Sequence, residues 1–270
     1  MATRRFNRID SLRRCALAGG CFTVFGAVAL LGLLIPLPLL LAITPRKLRE
    51  RRVRGLASVG FRLLIRMIEG CGLARIEVRS EGIPDLAGCL LVANHPSYLD
   101  AVFLMAHLPH ANCVVKSSLL NHPLFFPFTR LGGYMASDND DPQKLIEACR
   151  AAGARGEPIL IFPEGTRSTP GQPLHFRRGA AQVALRAGLR VVPLVVHCDP
   201  PALTHGYPWY RMPDRRVHLV IRFAAPCDIA DFAGGAAGDW SRLARRATRG
   251  LENYYVRQLS SDPHEPLSLP

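Results

Sequence analysis

The chain has 270 residues and a formal net charge of +13, a length that suits one sizeable α/β domain with an appendage. Thirteen of its 34 basic residues, but only two acidic residues, lie in residues 1–66, and the rest of the chain is nearly neutral. This distribution argues against a basic nucleic-acid face on the main domain. Eight cysteines occur without Cys-x-x-Cys spacing, which predicts reduced core residues and does not suggest a metal site.

An uncharged apolar segment runs over residues 15–44. A helix of this length would span about 45 Å, more than the roughly 30 Å hydrocarbon core of a bilayer. Pro36 and Pro38 would break or bend it. Two arrangements fit: one tilted span up to about Leu34 with an interfacial tail, or a re-entrant hairpin with both ends on one side. A cleaved signal peptide fits less well, because the apolar region is too long and no clear small-residue cleavage site follows it.

The basic run Arg46–Arg54 follows the apolar segment directly. The positive-inside tendency then places the main domain on the cytoplasmic side of the cell inner membrane. Residues 55–68 predict an amphipathic helix that either lies on anionic lipid or packs on the domain. Residues 240–259 predict a second amphipathic helix, first a solvated C-terminal helix and second a lipid contact. These patterns divide the chain into a basic N-terminus with the membrane-embedded segment (1–54), a main domain (55–260) and a disordered tail (261–270).

Short apolar strands alternate with helical stretches in the main domain. The patterns predict strands at 88–93, 111–115, 157–162, 191–197 and 217–223, and helices at 98–107, 142–153 and 180–187. Such alternation is typical of an α/β domain with a mixed, largely parallel sheet flanked by helices.

The run Ala93–Asp100 combines a proton acceptor with a nearby carboxylate. A hydroxyl needs a base to become a nucleophile at neutral pH, and the unperturbed pKa of histidine suits that task. Pro96 disfavours a helical conformation at His95, so His95 would end a strand while Asp100 lies in the first turn of the next helix. This corner can bring the two side chains together. A chance pair, with Asp100 stabilising only the helix N-terminus, explains the run equally well.

The run Phe162–Ser168 follows a second predicted strand. Gly165 permits a positive φ and close approach of a ligand to the backbone, and Arg167 can grip a phosphate bidentately. In open α/β sheets, ligands bind beyond the carboxyl ends of the strands, where both runs would lie. The alternative is an ordinary turn with a solvated Arg167. Lys116, after another predicted strand, either meets a phosphate or solvates a strand end.

The two runs together resemble the glycerolipid acyltransferase family, which includes the 1-acylglycerol-3-phosphate acyltransferases. Asn94–Asp100 is similar to the family's block of a histidine, four residues and an aspartate. Phe162–Ser168 matches the Phe-Pro-Glu-Gly-Thr-Arg-Ser block residue for residue. Lys116–Tyr134 and Val191–Val195 resemble the family's lysine-to-glycine segment and its strand around a proline. The resemblance covers roughly residues 55–230.

The resemblance implies a fold like that of glycerol-3-phosphate acyltransferases, with an N-terminal membrane helix or hairpin. It also implies transfer of a fatty acyl group from an acyl thioester, on CoA or acyl carrier protein, to a lysophospholipid hydroxyl. His95 would be the general base and Asp100 would orient it, while backbone donors around Gly165 stabilise the oxyanion. The acceptor would be positioned by Glu164, Thr166 and Arg167. The family's chemistry requires no metal and no prosthetic group, and its partners are the thioester donor, the lysolipid and membrane lipids.

One segment departs from the family pattern. Asp138 or Asn139 stands where the family usually has an arginine that helps bind the acceptor phosphate, and Asp140 and Asp141 follow. A non-standard acceptor, such as a glycolipid, an aminolipid or a polyene-type lipid, is therefore an alternative. Two further alternatives are a non-catalytic membrane adaptor that binds lipid or carrier protein, and a hydrolase that uses the same histidine with water.

Overall fold

The computed structural model describes residues 8–79, 85–122, 125–137, 141–208, 212–234, 239–265, 267 and 269. Within these residues the helices are α1 (Arg8–Leu34), α2 (Pro36–Ile43), α3 (Arg46–Gly70), α4 (Tyr98–His107), α5 (Ser117–Leu120), α6 (Phe126–Leu131), α7 (Pro142–Ala154), α8 (Gly179–Ala187) and α9 (Trp240–Ser260). The strands are β1 (Ala74–Arg79), β2 (Leu90–Ala93), β3 (Asn112–Val115), β4 (Met135–Ala136), β5 (Ile159–Ile161), β6 (Val191–Asp199) and β7 (Val217–Phe223).

The described strands form one sheet in the order β1-β7-β6-β2-β5-β3-β4. Only the β6–β7 pair is antiparallel among them, so the predicted mixed, largely parallel sheet is confirmed. One apolar core lies between the sheet and α1, α3 and α4, and the other lies between the sheet and α7, α8 and α9. β2, β5 and β3 are neighbours, so the polar runs that follow them along the chain meet at one edge.

The predicted strand at 88–93 begins two residues later than expected. Gly88 has φ +67° and turns the chain, so β2 begins at Leu90. The helix predicted at 98–107 and the strand predicted at 217–223 have the predicted bounds. β1 was missed although its residues alternate between apolar and charged, which is itself a strand pattern. β4, α5 and α6 were not indicated because such short elements give no measurable periodicity.

The apolar N-terminus folds back on the domain as a helical pair. α1 ends at Leu34, and Ile35 alone separates it from Pro36, where the sequence predicts a break. The Phe25 and Phe61 rings lie 5.8 Å apart, and the Cys21 and Cys71 sulfurs are 3.9 Å apart. Of these two contacts, the one with the higher residue number in α1 has the lower partner number at α3, so the two helices are antiparallel.

The predicted amphipathic helix at 55–68 is part of a longer helix. α3 begins at Arg46, because the basic run contains no helix-breaking residue and forms the first part of the helix. The boundary predicted between residues 54 and 55 therefore falls inside a continuous helix. One face of α3 is buried against the domain through Leu64, Ile65 and Ile68, while Val59 is 54 % exposed on another face. Packing on the domain and exposure to the surroundings thus coexist on one helix.

Two buried arginines connect α3 and the C-terminal segment to the main domain. Arg54 donates to Gly132 O at 2.7 Å and lies 3.0 Å from the Glu157 carboxylate. Arg222 on β7 donates to backbone carbonyls of Gln258, Asp262 and Glu265. The first part of the segment predicted as a disordered tail is therefore held against the sheet, because Arg222 is buried and needs these acceptors.

We expect Arg54→Ala to lower the free energy of unfolding by about 3–5 kcal/mol, because it leaves the Glu157 carboxylate and the Gly132 carbonyl without this partner. Urea unfolding followed by tryptophan fluorescence measures the change. Arg51→Ala, on the exposed face of the same helix, is the matched control and should stay within about 0.5 kcal/mol of wild type. Equal effects of the two substitutions would contradict the prediction.

Candidate active site

The first corner of the site joins β2 to α4 and is fixed by one carboxylate. Asp100 Oδ1 lies 2.7 Å from His95 Nδ1, and Asp100 Oδ2 accepts a 2.9 Å hydrogen bond from Ser97 N–H. Ser97 caps the helix in return, since its hydroxyl accepts from Leu99 N–H at 3.2 Å. Asp100 has no exposed surface, so both oxygens are committed. The capping box that starts α4 therefore also orients the histidine.

This geometry prepares His95 to accept a proton. A carboxylate accepts hydrogen bonds, so in the neutral ring Nδ1 carries the hydrogen and Nε2 keeps its lone pair. The His95 side chain is 14 % exposed and its ring stacks on Phe162 at a centroid distance of 4.2 Å. The predicted meeting of His95 and Asp100 is thus observed, with a route from solvent to the ring.

The second corner follows β5 as a tight turn. Gly165 N–H donates to Phe162 O at 3.1 Å, and Gly165 has φ +68°. A Cβ at Gly165 would lie 3.0 Å from Arg177 Nε. Gly165 is needed for both reasons, because its backbone conformation disfavours other residues and the Arg177 side chain lies directly on it.

Hydrogen bonds that involve Glu164 and Ser168 connect the two corners. Glu164 Oε1 accepts from His95 N–H at 2.8 Å, and Oε2 accepts from the Ser168 hydroxyl at 2.8 Å. Ser168 N–H donates to His95 O at 2.7 Å. The backbone of His95 is thus held on both sides by the loop that follows the neighbouring strand. Sequence reasoning did not anticipate this use of Ser168.

Glu164 is a positioning residue in this geometry. Burial raises the pKa of its carboxyl, against the opposing effect of the hydrogen bonds from His95 N–H and Ser168. Both carboxylate oxygens already have partners. Since each oxygen can accept a second hydrogen bond, the role predicted for Glu164 in binding the acceptor is compatible with these contacts and stays a prediction.

Arg167 fastens a loop beside the site. Its Nη1 donates to Leu203 O at 2.7 Å and to Thr204 O at 2.8 Å, and its Cζ lies 3.7 Å from the centroid of the Tyr98 ring. These contacts use one of the two terminal nitrogens, so Nη2 and Nε retain donors for an anion. The neighbouring Thr166 is exposed.

Two cations lie beyond the second corner. Lys116 directly follows β3, the neighbour of β5, and is exposed. Arg177 N–H donates to Pro163 O at 2.8 Å, while its exposed side chain lies on Gly165. Adjacent strands are about 4.8 Å apart, which places Lys116 roughly 10 Å from the end of β2 at His95. Lys116 was among the predicted site residues, whereas the structure marks Arg177 by its contact with Gly165.

Side chains from distant parts of the chain support β2 just before the first corner. The Tyr255 hydroxyl of α9 accepts from Leu194 N–H and donates to Val92 O. The Asn94 amide pairs with both backbone groups of Val196 at 2.8 Å. Both side chains connect the C-terminal end of β2 to the middle of β6. No local pattern marks Tyr255, because its partners lie more than 60 residues away.

The segment with the departure from the family pattern, Asp138 to Asp140, lies outside the described residues. Asp141 is described and caps α7 by accepting from Gln143 N–H at 2.9 Å. The replacement of the usual arginine by Asp138 or Asn139 is therefore known from the sequence alone.

Comparisons with known proteins agree with the fold and the motifs. The family model "Acyltransferase" matches residues 75–197. The chain is 27 % identical over 175 residues to a 1-acyl-sn-glycerol-3-phosphate acyltransferase of Limnanthes douglasii, covering 63 % of this chain and 58 % of that protein. It is 34 % identical over 136 residues to the enzyme of that name from Pseudomonas aeruginosa, covering 48 % and 51 %.

A solved structure extends the likeness to the whole fold. The 1-acyl-sn-glycerophosphate (LPA) acyltransferase PlsC from Thermotoga maritima has a TM-score of 0.62 and 18 % identity, over 95 % of this chain and 99 % of that one.

The fold and the paired corners are similar to those of α/β acyltransferases. The matching family model and the named relatives, which are 1-acylglycerol-3-phosphate acyltransferases, agree with the resemblance carried by the blocks at His95 and Glu164. The chain spans about half to three-fifths of the length of the curated relatives reported above.

We expect Glu164→Ala to lower kcat by about 100-fold, because a displaced catalytic base loses its attack geometry. Glu164→Gln should stay within about threefold of wild type, because an amide oxygen can still accept from His95 N–H. Steady-state kinetics on both variants separates positioning from charge. An equally large loss in Glu164→Gln would mean that the carboxylate charge, rather than its support of His95, is what matters.

Proposed function

We propose that the protein transfers a fatty acyl group from an acyl thioester, on CoA or acyl carrier protein, to a hydroxyl of a lysophospholipid such as 1-acylglycerol-3-phosphate. The observation that carries this proposal is the His95–Asp100 pair, with its 2.7 Å contact at the accessible carboxyl edge of the sheet. The motif blocks and the names of the similar proteins support the choice of acyl donor and acceptor.

The reaction follows from the hydrogen on Nδ1. His95 Nε2 takes the proton of the acceptor hydroxyl, and Asp100 stabilises the resulting imidazolium. The acceptor oxygen attacks the thioester carbonyl carbon and forms a tetrahedral intermediate. When the C–S bond breaks, the departing thiolate takes the proton from His95, and the ester and the free thiol leave. No covalent acyl-enzyme is required.

The oxyanion of the intermediate needs hydrogen-bond donors at this edge of the sheet. The Gly165 N–H is not one of them, because it already donates to Phe162 O within the turn. We assign this role to Thr166, which is the next residue and is exposed at the same corner.

The acceptor phosphate would lie among cations beyond the second corner. Arg177 lies on Gly165, and Lys116 follows β3, the neighbour of the strand that leads into this turn. Arg167, beside Tyr98, uses only Nη1 in hydrogen bonds to the residues that the structure describes. The spacing of roughly 10 Å between Lys116 and His95 along the sheet edge suits an acceptor whose hydroxyl is separated from its phosphate by a few bonds. This arrangement supplies charge without the arginine that the family usually has near residue 138.

The N-terminal helices would attach the domain to the cytoplasmic face of the inner membrane. Residues Asp10–Ile43 are long and apolar enough to cross a membrane by length and composition. Large apolar side chains are exposed along α1 and α2: Leu12, Val24, Leu30, Leu31, Leu34, Ile35, Leu39 and Ile43. The antiparallel packing of α1 on α3 favours a hairpin that returns to the domain, rather than a single span.

A different acceptor headgroup is the second candidate. The acidic residues Asp138, Asp140 and Asp141 stand at and after the position of the family's phosphate-binding arginine. They favour a cationic or uncharged head, as in an aminolipid or glycolipid. Thiol release from acyl-CoA in the presence of each acceptor class distinguishes the two candidates, and release without any acceptor would indicate a hydrolase.

We expect His95→Ala to reduce lysophosphatidic-acid-dependent thiol release by about 10²- to 10⁴-fold, because the general base is lost. Asp100→Asn should also be strongly impaired, since an amide does not stabilise the imidazolium. Thermal unfolding and circular dichroism serve as folding controls for both variants. Acyl transfer that persists in a folded His95→Ala protein would contradict the mechanism.

We expect Arg177→Gln to raise the KM for lysophosphatidic acid about tenfold with little change in kcat, because a charge-assisted bond to the phosphate is lost. The neighbouring Arg178→Gln removes an exposed charge away from Gly165 and is the matched control. Titrations of the acceptor at saturating acyl-CoA give both constants. A KM equal to that of the control would place the phosphate elsewhere.

A further inference from the structure

A groove separate from the active site lies between the N-terminal helices and the domain. It has a volume of about 550 Å³ and lies between α2, α3 and His110, a size within the range of small-molecule sites. We call it the α2–α3 groove. α4 begins beside the catalytic corner and ends at His107, and its ten residues span about 15 Å. Because His110 follows the far end of α4, the groove is remote from His95.

The lining of the groove is amphipathic. Its apolar surface comes from Leu40 of α2 and from Leu48, Leu56 and Val59 of α3. Leu48 and Val59 are 48 % and 54 % exposed, so this surface remains open. Leu39 and Ile43, close to Leu40 on α2, are exposed as well. A ligand that fills the groove must therefore carry an apolar portion.

The polar lining of the groove is positively charged. Arg51 and Arg52 both line it, and neither forms a salt bridge with any residue that the structure describes. Among the described residues, the side chain of Arg52 donates to the neutral Thr44 hydroxyl alone, at 3.3 Å. The nearest acidic residue on α3, Glu50, instead faces Gly133 of the domain. Burial, together with Arg51 and Arg54, lowers the pKa of His110, so its ring is neutral at physiological pH.

We propose that the α2–α3 groove binds one anionic phospholipid, with the phosphate on Arg51 and Arg52 and an acyl chain along Leu40, Leu56 and Val59. Charge complementarity selects an anionic head, and the apolar surface selects a lipid over a free phosphate. Arg49 and Arg52 also bind Leu41 O and Thr44 through their side chains. A bound lipid would thus contact the junction of α2 and α3 and set the orientation of these two helices in the bilayer.

This inference rests on the proposed attachment to the membrane, but not on the reaction at His95. The test uses the full chain purified in a mild detergent and mixed with vesicles of phosphatidylcholine alone, or with about one-third phosphatidylglycerol. Flotation measures vesicle binding, and mass spectrometry after gel filtration measures the phospholipid retained per protein. Binding to neither type of vesicle would overturn membrane attachment itself.

Two kinds of variant separate a built site from general surface charge. Arg51→Gln with Arg52→Gln should weaken binding to anionic vesicles about tenfold, since each basic residue near an anionic surface contributes to binding. Leu56→Trp keeps the charge but fills the groove, and it should abolish retention of phosphatidylglycerol after gel filtration. Arg245→Gln with Arg246→Gln, exposed on α9, is the matched control.

The expected result is one phosphatidylglycerol retained per wild-type and control protein, and none retained by the groove variants. Unchanged retention in both groove variants would overturn the proposal. So would a loss in Arg51→Gln with Arg52→Gln that the α9 control reproduces, because general charge would then explain it.

Discussion

The site depends on a single buried carboxylate that serves two elements. Asp100 completes the cap of α4 through Ser97 N–H and orients His95 through Nδ1. The carboxylate that caps the N-terminus of α4 therefore also fixes the orientation of the His95 ring, so the ring and the helix N-terminus move together. Because Asp100 is wholly buried, solvent does not compete for its oxygens, and Nε2 of the partly exposed His95 ring is not engaged by this carboxylate. The remaining features of the site hold this corner in register with the groups around it.

Support for the corner comes from three parts of the chain that are distant in sequence. The loop after β5 holds the His95 backbone through Glu164 and Ser168, and Tyr255 of α9 bridges the adjoining strands. α3 is fastened to the same sheet through Arg54 and Glu157. The N-terminal helices and the edge that carries His95 are thus attached to one sheet.

The sequence predicted more of the framework than of the contacts. The strand after Cys89, the helix from Tyr98 and the meeting of His95 with Asp100 all follow from local patterns, because proline, caps and apolar runs act over a few residues. The start of α3 at Arg46 was missed, since a change from apolar to basic composition is not a structural boundary. The contacts of Ser168, Arg177 and Tyr255 depend on strand order and on distant packing, which no local pattern encodes. Glu164 was predicted to bind the acceptor, and in the structure its partners are the His95 backbone and Ser168.

The protonation of the His95 ring tests this account most directly. Nitrogen-15 NMR on protein with labelled histidine, assigned by comparison with a His95→Gln sample, distinguishes the two neutral forms of the imidazole. The account predicts a neutral ring with its hydrogen on Nδ1, hydrogen-bonded to Asp100, and a bare Nε2. A hydrogen on Nε2 with Nδ1 bare would contradict it, because the ring would then have no base to offer the acceptor hydroxyl.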